Sequence, residues 1–472
     1  MRKIVFKKIL SLTLAVLTLL SFSSCAADKS TEAPSHIEYG SELTVMGEDV
    51  GEYIKLASTL QTANTGSAVV VPGKNDAFKD EGVTWKFSAT TGVLTISGKG
   101  AMDNYAYQNV VVNGEAYTIV NTPWFQYLPY ITEVVVGDGV TSIGNLAFEF
   151  CSNIKKVTLP ESVTSIGLGA FSGCSSLTSI NIPNGITYVG DYAFYQTSPR
   201  TVTKNGVKYL GNSNNPYVVA MKADLSLKSV TLEPSVKIIY SAAFTGCTGL
   251  TSVNIPEGVT QIGYGAFGNC RRLSDVNIPS TVETIGNCAF YECIGLKEIN
   301  VPDAVKEIGD SAFSGCANIE SLTLGNGIEK IGVRAFEDCR SIKAVVIPDS
   351  VKTLGDQAFL ECGELESVRL GSGLTSIGSY SFFRCLNLKS VKISDGVKKI
   401  GESAFEKCGN LTELEIPESV TSIQKNAFSL CNNLKELTYG GTIDGWVKIN
   451  TNASSFYPKA TVHCTDGNTI TK

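Results

Sequence analysis

A block of 23 residues repeats through most of this 472-residue chain, and it limits the possible folds more than any other feature. One phenylalanine marks its phase: Phe148, Phe171 and Phe194, then Phe244, Phe267, Phe290, Phe313, Phe336, Phe359, Phe382, Phe405 and Phe428. Neighbours are 23 apart except across one gap of 50. A period in this range specifies stacked coils, one per repeat, because a single copy cannot bury its own apolar face. Length alone would suggest about three globular domains. The repeat replaces that expectation with a solenoid whose core grows coil by coil.

The copy from Leu273 to Cys293 shows how one coil is built. Leu273, Val276 and Ile278 are apolar and Asn277 lies between the last two, which is the in–out alternation of a strand. Pro279 ends it by withholding a ladder donor. Val282 and Ile285 turn inward along the next side, and Gly286 follows where the chain bends tightly or needs an unusual dihedral. Tyr240 and Gln424 hold that glycine slot in two other copies. Ala289, Phe290 and Cys293 have the spacing of a short helical turn facing inward. Stacking these copies predicts one continuous apolar spine.

In one-letter form, Leu250 to Cys270 reads LTSVNIPEGVTQIGYGAFGNC. This pattern resembles the BspA-like (treponemal-type) leucine-rich repeats, over about residues 85–466. The resemblance implies an α/β leucine-rich-repeat solenoid of 23-residue coils with a parallel sheet on one face. It also implies a bacterial surface protein, for which adhesion to host matrix proteins or other cells is the expected role. It supplies no catalytic motif.

The chain divides around the repeat. Residues 1–25 read as an export signal: Arg2, Lys3, Lys7 and Lys8 precede an apolar stretch from Ile9 to Leu20 that is short for a membrane span. Ser23, Ser24 and Cys25 resemble the end of a bacterial lipoprotein cleavage box, although Phe22 stands where leucine is usual. That resemblance implies lipid attachment at Cys25, and ordinary secretion is the alternative. Residues 26–49 read as a tether. Residues 50–120 read as a β-rich N-terminal cap with a hairpin around Thr91-Gly92, and Trp124 and Phe125 fall one period before Ala147 and Phe148. The solenoid spans 121–439, with a diverged insertion at 195–243 that reads as a surface bulge or a protruding binding loop. An irregular C-terminal cap covers 440–472 and keeps Trp446, Tyr457 and Val462.

The composition argues against several chemistries. A net charge of −6 leaves no basic footprint for nucleic acid. His36 and His463 are the only histidines, and no G-x-S-x-G elbow occurs, so a Ser-His-Asp triad is not expected. Eleven copies place a cysteine three residues after the phenylalanine, from Cys151 to Cys431, which predicts a column of buried thiols. Neighbour spacing in such a column does not itself forbid bridging. Cys288 falls outside it. Paired C-x-x-C zinc clusters are absent. The expectation is a non-enzyme with no cofactor and no metal.

That leaves the outward strand positions as candidate binding residues. One slot carries Asn254, Asn277, Asn300, Thr323, Arg369 and Lys392, a hydrogen-bonding column suited to an extended extracellular protein or a glycan. Tyr291, Leu360 and Phe383, just after the phenylalanine slot, form a second, apolar candidate. The expected function is partner binding at the cell surface, with membrane attachment through the lipid alone. A passive envelope spacer or assembly subunit is the alternative.

Overall fold

The computed structural model describes residues 82–112, 115–451 and 460–471. The coil from Leu388 to Cys408 shows the unit at its most regular. Strand Ser390–Lys392 turns Val391 inward, and Leu388 and Ile393 flank it in the core. Val397 leads into a second, two-residue strand, Lys399–Ile400, that turns Ile400 inward. Ala404, Phe405 and Cys408 complete the core from the third side, fully buried. Each strand pairs in parallel with its counterpart 23 residues on, as in Val368↔Val391↔Leu414 and Ile377↔Ile400↔Ile423. The parallel sheet expected on one face is therefore present, and a second, shorter ladder runs along the adjacent side. Helix is sparse: among the described residues, one six-residue α-helix, Ile443–Lys448, and one 3-10 segment, Phe125–Tyr130.

The third side differs from the expected helical turn. Around Ala289–Cys293 the backbone runs through linked turns, with Cys288 and Glu292 in the left-handed region at φ of 54° and 57°. This geometry points alternate N–H groups at the next coil. Cys288, Phe290 and Glu292 donate to the carbonyls of Asp310, Ala312 and Ser314 at 2.7–2.9 Å. An α-helical turn would spend those donors inside its own coil. Left-handed non-glycine backbone is costly, and the intercoil bonds offset it. The thiols fit the same scheme. Cys316 Sγ donates to Phe290 O at 3.0 Å, and Cys293 Sγ to Phe267 O at 3.1 Å, so both cysteines serve a buried carbonyl one coil back.

Gly286 is explained by proximity, not by dihedral. Its φ is not left-handed, but a Cβ there would lie 2.8 Å from Gly263 C and Tyr264 N of the previous coil. The phenylalanine rings stack through the core at 5.0–5.6 Å from Phe244 to Phe428, with planes within 17° of parallel.

The spine is not continuous. The buried apolar residues form two clusters that meet in the diverged segment 195–243. There the chain forms strands Val202–Lys204, Val207–Leu210 and Val219–Ala223, an antiparallel meander that joins the second-side ladder at Ile238–Ile239. Tyr209, Leu210, Val218 and Val219 are buried, so much of the segment is packed core. Ile239 faces one cluster, while Ile238 and Tyr240 face the other. The last coil of the first stack is sealed by side chains of the second. Tyr240 Oη accepts from Phe194 N at 2.9 Å, and Gln261 Oε1 and Nε2 bond Val189 N and O at 2.9 and 3.0 Å. Tyr240 thus occupies the glycine slot because its ring turns out of its own coil toward the first stack.

At the N-terminal end, strands Thr84–Ser88 and Val93–Ser97 form the expected hairpin, and Val93–Ser97 starts the parallel ladder on Glu133–Val136. Trp124, not Phe125, heads the ring column: it stacks on Phe148 at 5.4 Å and its Nε1 donates to Ala147 O at 2.9 Å. The indole thereby caps a carbonyl that has no earlier coil to receive. At the other end Trp446 packs on Tyr439 at 5.2 Å, and strand Thr461–Cys464 extends the ladder from Glu436–Tyr439. Tyr457, the tether and the export signal with Cys25 lie outside the described residues.

Candidate functional site

The outward slot of the first strand is open along the second stack. Asn254, Asn277, Asn300, Thr323, Arg369 and Lys392 are all exposed. They do not share one ladder. Strands Ser252–Asn254 and Asp275–Val276 belong to one sheet, Glu298–Val301 and Ser321–Leu324 to a second, and Ser367–Arg369 and Ser390–Lys392 to a third. Within these sheets Asn300 faces Thr323, and Arg369 faces Lys392, in direct register.

The residues also differ in how they are occupied. Arg369 is held by Asp349 at 3.1 Å and Lys392 by Glu415 at 2.8 Å, and Glu415 pushes the Lys392 ammonium pKa up. The side-chain amides of Asn254, Asn277 and Asn300 have no hydrogen-bond partner among the described residues. Asn181, in the same slot of the first stack, is half-buried. It donates from Nδ2 to Leu159 O at 2.7 Å and accepts from Leu159 N at 2.9 Å. One residue type in one slot thus closes a ladder in the first stack and faces solvent in the second.

Tyr291, Leu360 and Phe383 are each half-buried. Lys407 Nζ of the next coil lies 4.9 Å from the Phe383 ring centroid, and the Tyr380 ring packs against it, tilted, at 5.7 Å. Phe383 is therefore partly covered. The column thiols are buried and carry no bridges among themselves, and burial pushes the Cys247 pKa up to about 11 and Cys270 to about 12. Among the described residues no three His, Cys, Asp or Glu side chains converge as a metal site, and no helix is long and apolar enough to cross a membrane.

Three polar features had no place in the sequence reading. Gln261 is the bridge described above. Glu149 is 6% exposed beneath the hairpin Tyr107–Val112/Glu115–Val120. Tyr107 Oη donates to its Oε1 at 3.0 Å, and its Oε2 has no partner among the described residues. Burial pushes its carboxyl up to about 8 against the pull of the Tyr107 bond. The third is a ladder of Asn387, Asn410 and Asn433. An asparagine recurring directly before the leucine slot was its available signal.

The family described as the BspA-type leucine-rich repeat region matches in six copies over residues 98–214, 220–343 and 329–455. A leucine-rich repeat protein from Bacteroides ovatus is 24% identical over 82% of this chain and 99% of its own, with a TM-score of 0.43. A leucine-rich cell surface protein from Faecalibacterium prausnitzii is 25% identical over 81% of this chain and 99% of its own, at a TM-score of 0.32. The leucine-rich repeat protein of T. pallidum is 27% identical over 40% of this chain and 91% of its own, at 0.37. No curated protein matches.

Proposed function

Because this chain belongs to the BspA-type leucine-rich repeat family, we propose that it is an exported, non-catalytic surface protein that holds an extracellular protein or glycan against the outer strand face of its second stack. The observation that carries this reading is the set of unpartnered, exposed amides of Asn254, Asn277 and Asn300, set against the satisfied Asn181. Polar groups already at the surface lose little on meeting a ligand that replaces their water bonds. Thr323 extends the row, and Arg369 and Lys392 add charge already balanced by Asp349 and Glu415. Tyr291, Leu360 and Phe383 would supply an apolar flank. Cys25 would carry the lipid that keeps the protein at the membrane, which the intact mass of the mature N-terminus tests.

The binding test uses the full-length protein against arrayed matrix proteins, mucins and glycans. Saturable binding that disappears in the triple variant Asn254→Ala, Asn277→Ala, Asn300→Ala, with an unchanged melting temperature, is the expected result. Binding untouched by the triple variant removes this face from the reading. The internal ion pairs of Arg369 and Lys392 favour a second reading, a passive envelope spacer or assembly subunit, for which no saturable ligand appears.

A further inference from the structure

A second column of polar side chains stands beside the exposed strands in the last coils of the stack. Asn387, Asn410 and Asn433 occupy one position 23 residues apart, and Glu364 holds it one coil earlier. Their side chains are joined in one direction. Asn433 Nδ2 donates to Asn410 Oδ1 at 3.5 Å, Asn410 Nδ2 to Asn387 Oδ1 at 3.2 Å, and Asn387 Nδ2 to Glu364 Oε2 at 3.3 Å. Each amide bond uses one hydrogen and one lone pair of the groups it joins. Every amide therefore keeps a further donor and acceptor, oriented alike from coil to coil. Alongside lies an open depression of about 500 Å³ lined by Lys389, Ser390, Asn410, Thr412, Glu413 and Asn433. Lys389 is paired with Glu366, and Glu413 has no ion-pair partner among the described residues.

We propose that this strip binds a neutral, extended β-1,4-linked glycan lying along the stack, one sugar to each coil. The repeat distance selects the ligand. The rings of the coils concerned, from Phe359 to Phe428, are spaced 5.6, 5.2 and 5.4 Å apart. An extended peptide advances about 3.3 Å per residue and repeats its facing every ~6.6 Å, so it slips out of register within a few coils. One pyranose of an extended β-1,4-linked chain advances by nearly one coil spacing and is turned over relative to the one before, so each coil meets one sugar, every second coil meets the same face, and the chain stays in register with the stack. The charges agree with a neutral ligand: the lining lysine is already held by a carboxylate, and the unpaired Glu413 accepts from hydroxyls while repelling a polyanion. The depression is open and no aromatic side chain lines it, so a single sugar binds weakly and length supplies the affinity.

The test titrates the full-length protein with β-1,4-linked glucose oligomers and β-1,4-linked N-acetylglucosamine oligomers of increasing length, by calorimetry. In at least one series, affinity is expected to rise with each added sugar until the chain reaches from Glu364 to Asn433, and then to level off. Asn410→Ala lowers the affinity of the longest oligomer by about five- to tenfold and leaves the melting temperature unchanged. Asn410→Asp, which keeps the shape but removes the donor, does the same, while Asn254→Ala has no effect. Four outcomes each overturn the proposal: no binding of either series, affinity independent of length, binding untouched in both Asn410 variants, or capture of an extended peptide in place of the glycan. None of them bears on the strand face, whose test rests on Asn254, Asn277 and Asn300.

Discussion

Replacing Glu149 by glutamine should make the N-terminal stack less sensitive to alkaline pH. The carboxyl is buried, one oxygen accepts from Tyr107 and the other has no partner among the described residues, so ionisation inside the fold is costly. Its pKa stands near 4.5 in the unfolded chain and at about 8 in the folded one. The folded form thus holds a proton that the unfolded form has released. The contribution is fully present below pH 4.5, and stability falls as pH rises toward 8. A tenfold change in proton affinity corresponds to about 1.4 kcal/mol, so the full loss amounts to about 5 kcal/mol. The assay is urea unfolding between pH 4 and 9 by tryptophan fluorescence, in a Trp446→Phe background so that only Trp85 and Trp124 report. Asp103 and Asp191 are also raised by burial and titrate in both proteins, so the informative quantity is the difference between the parent and Glu149→Gln profiles taken in parallel. The glutamine variant should gain on the parent by about 1.4 kcal/mol per pH unit above 5 and cease to gain near 8. A difference that stays constant with pH would refute the reasoning, because it would mean Glu149 binds no extra proton on folding.

Two further outcomes separate packing from junction. Gly286→Ala places a Cβ 2.8 Å from backbone atoms of the previous coil and should cost about 1–3 kcal/mol, whereas Gly363→Ala, with nothing within 4 Å, should change stability little; chemical denaturation compares them. Gln261→Leu strands the buried N–H and C=O of Val189 and should cost about 2–4 kcal/mol, with amide exchange accelerated around residues 186–194 ahead of the coils after Phe267.

Much of the coil was legible because its information is local. Alternation at Val276 and Ile278, the recurring Ala-Phe pair and the cysteine column each state which way a side chain faces, and the coil buries them accordingly, Val276 only in part. The backbone of the third side was less legible. Inward-facing residues at the spacing of Ala289, Phe290 and Cys293 suit a helical turn as well as linked left-handed turns, and only the intercoil bonds from Phe290 N to Ala312 O separate the two. The outward columns were found as columns, but their occupancy was not. Asn181 and Asn254 are the same residue in the same slot, and the positions of their neighbours decide that one side chain bonds to Leu159 and the other to none of the described residues. Glu149 and Gln261 escaped for a related reason. Each sits where a single repeat read alone gives no sign of cover, and what buries them comes from the Tyr107 hairpin and from a strand 72 residues away.

By itself, then, the sequence determined the repeat length, the inward set of each coil and the fact that coils must stack, since these follow from side-chain periodicity along a short stretch. The tertiary structure alone decided that the stack is broken in two at 195–243, that Gly286 answers to a neighbouring backbone, and which amides are left to solvent. Those outcomes depend on distances between segments far apart in the chain, and such distances exist only once the coils have closed on one another.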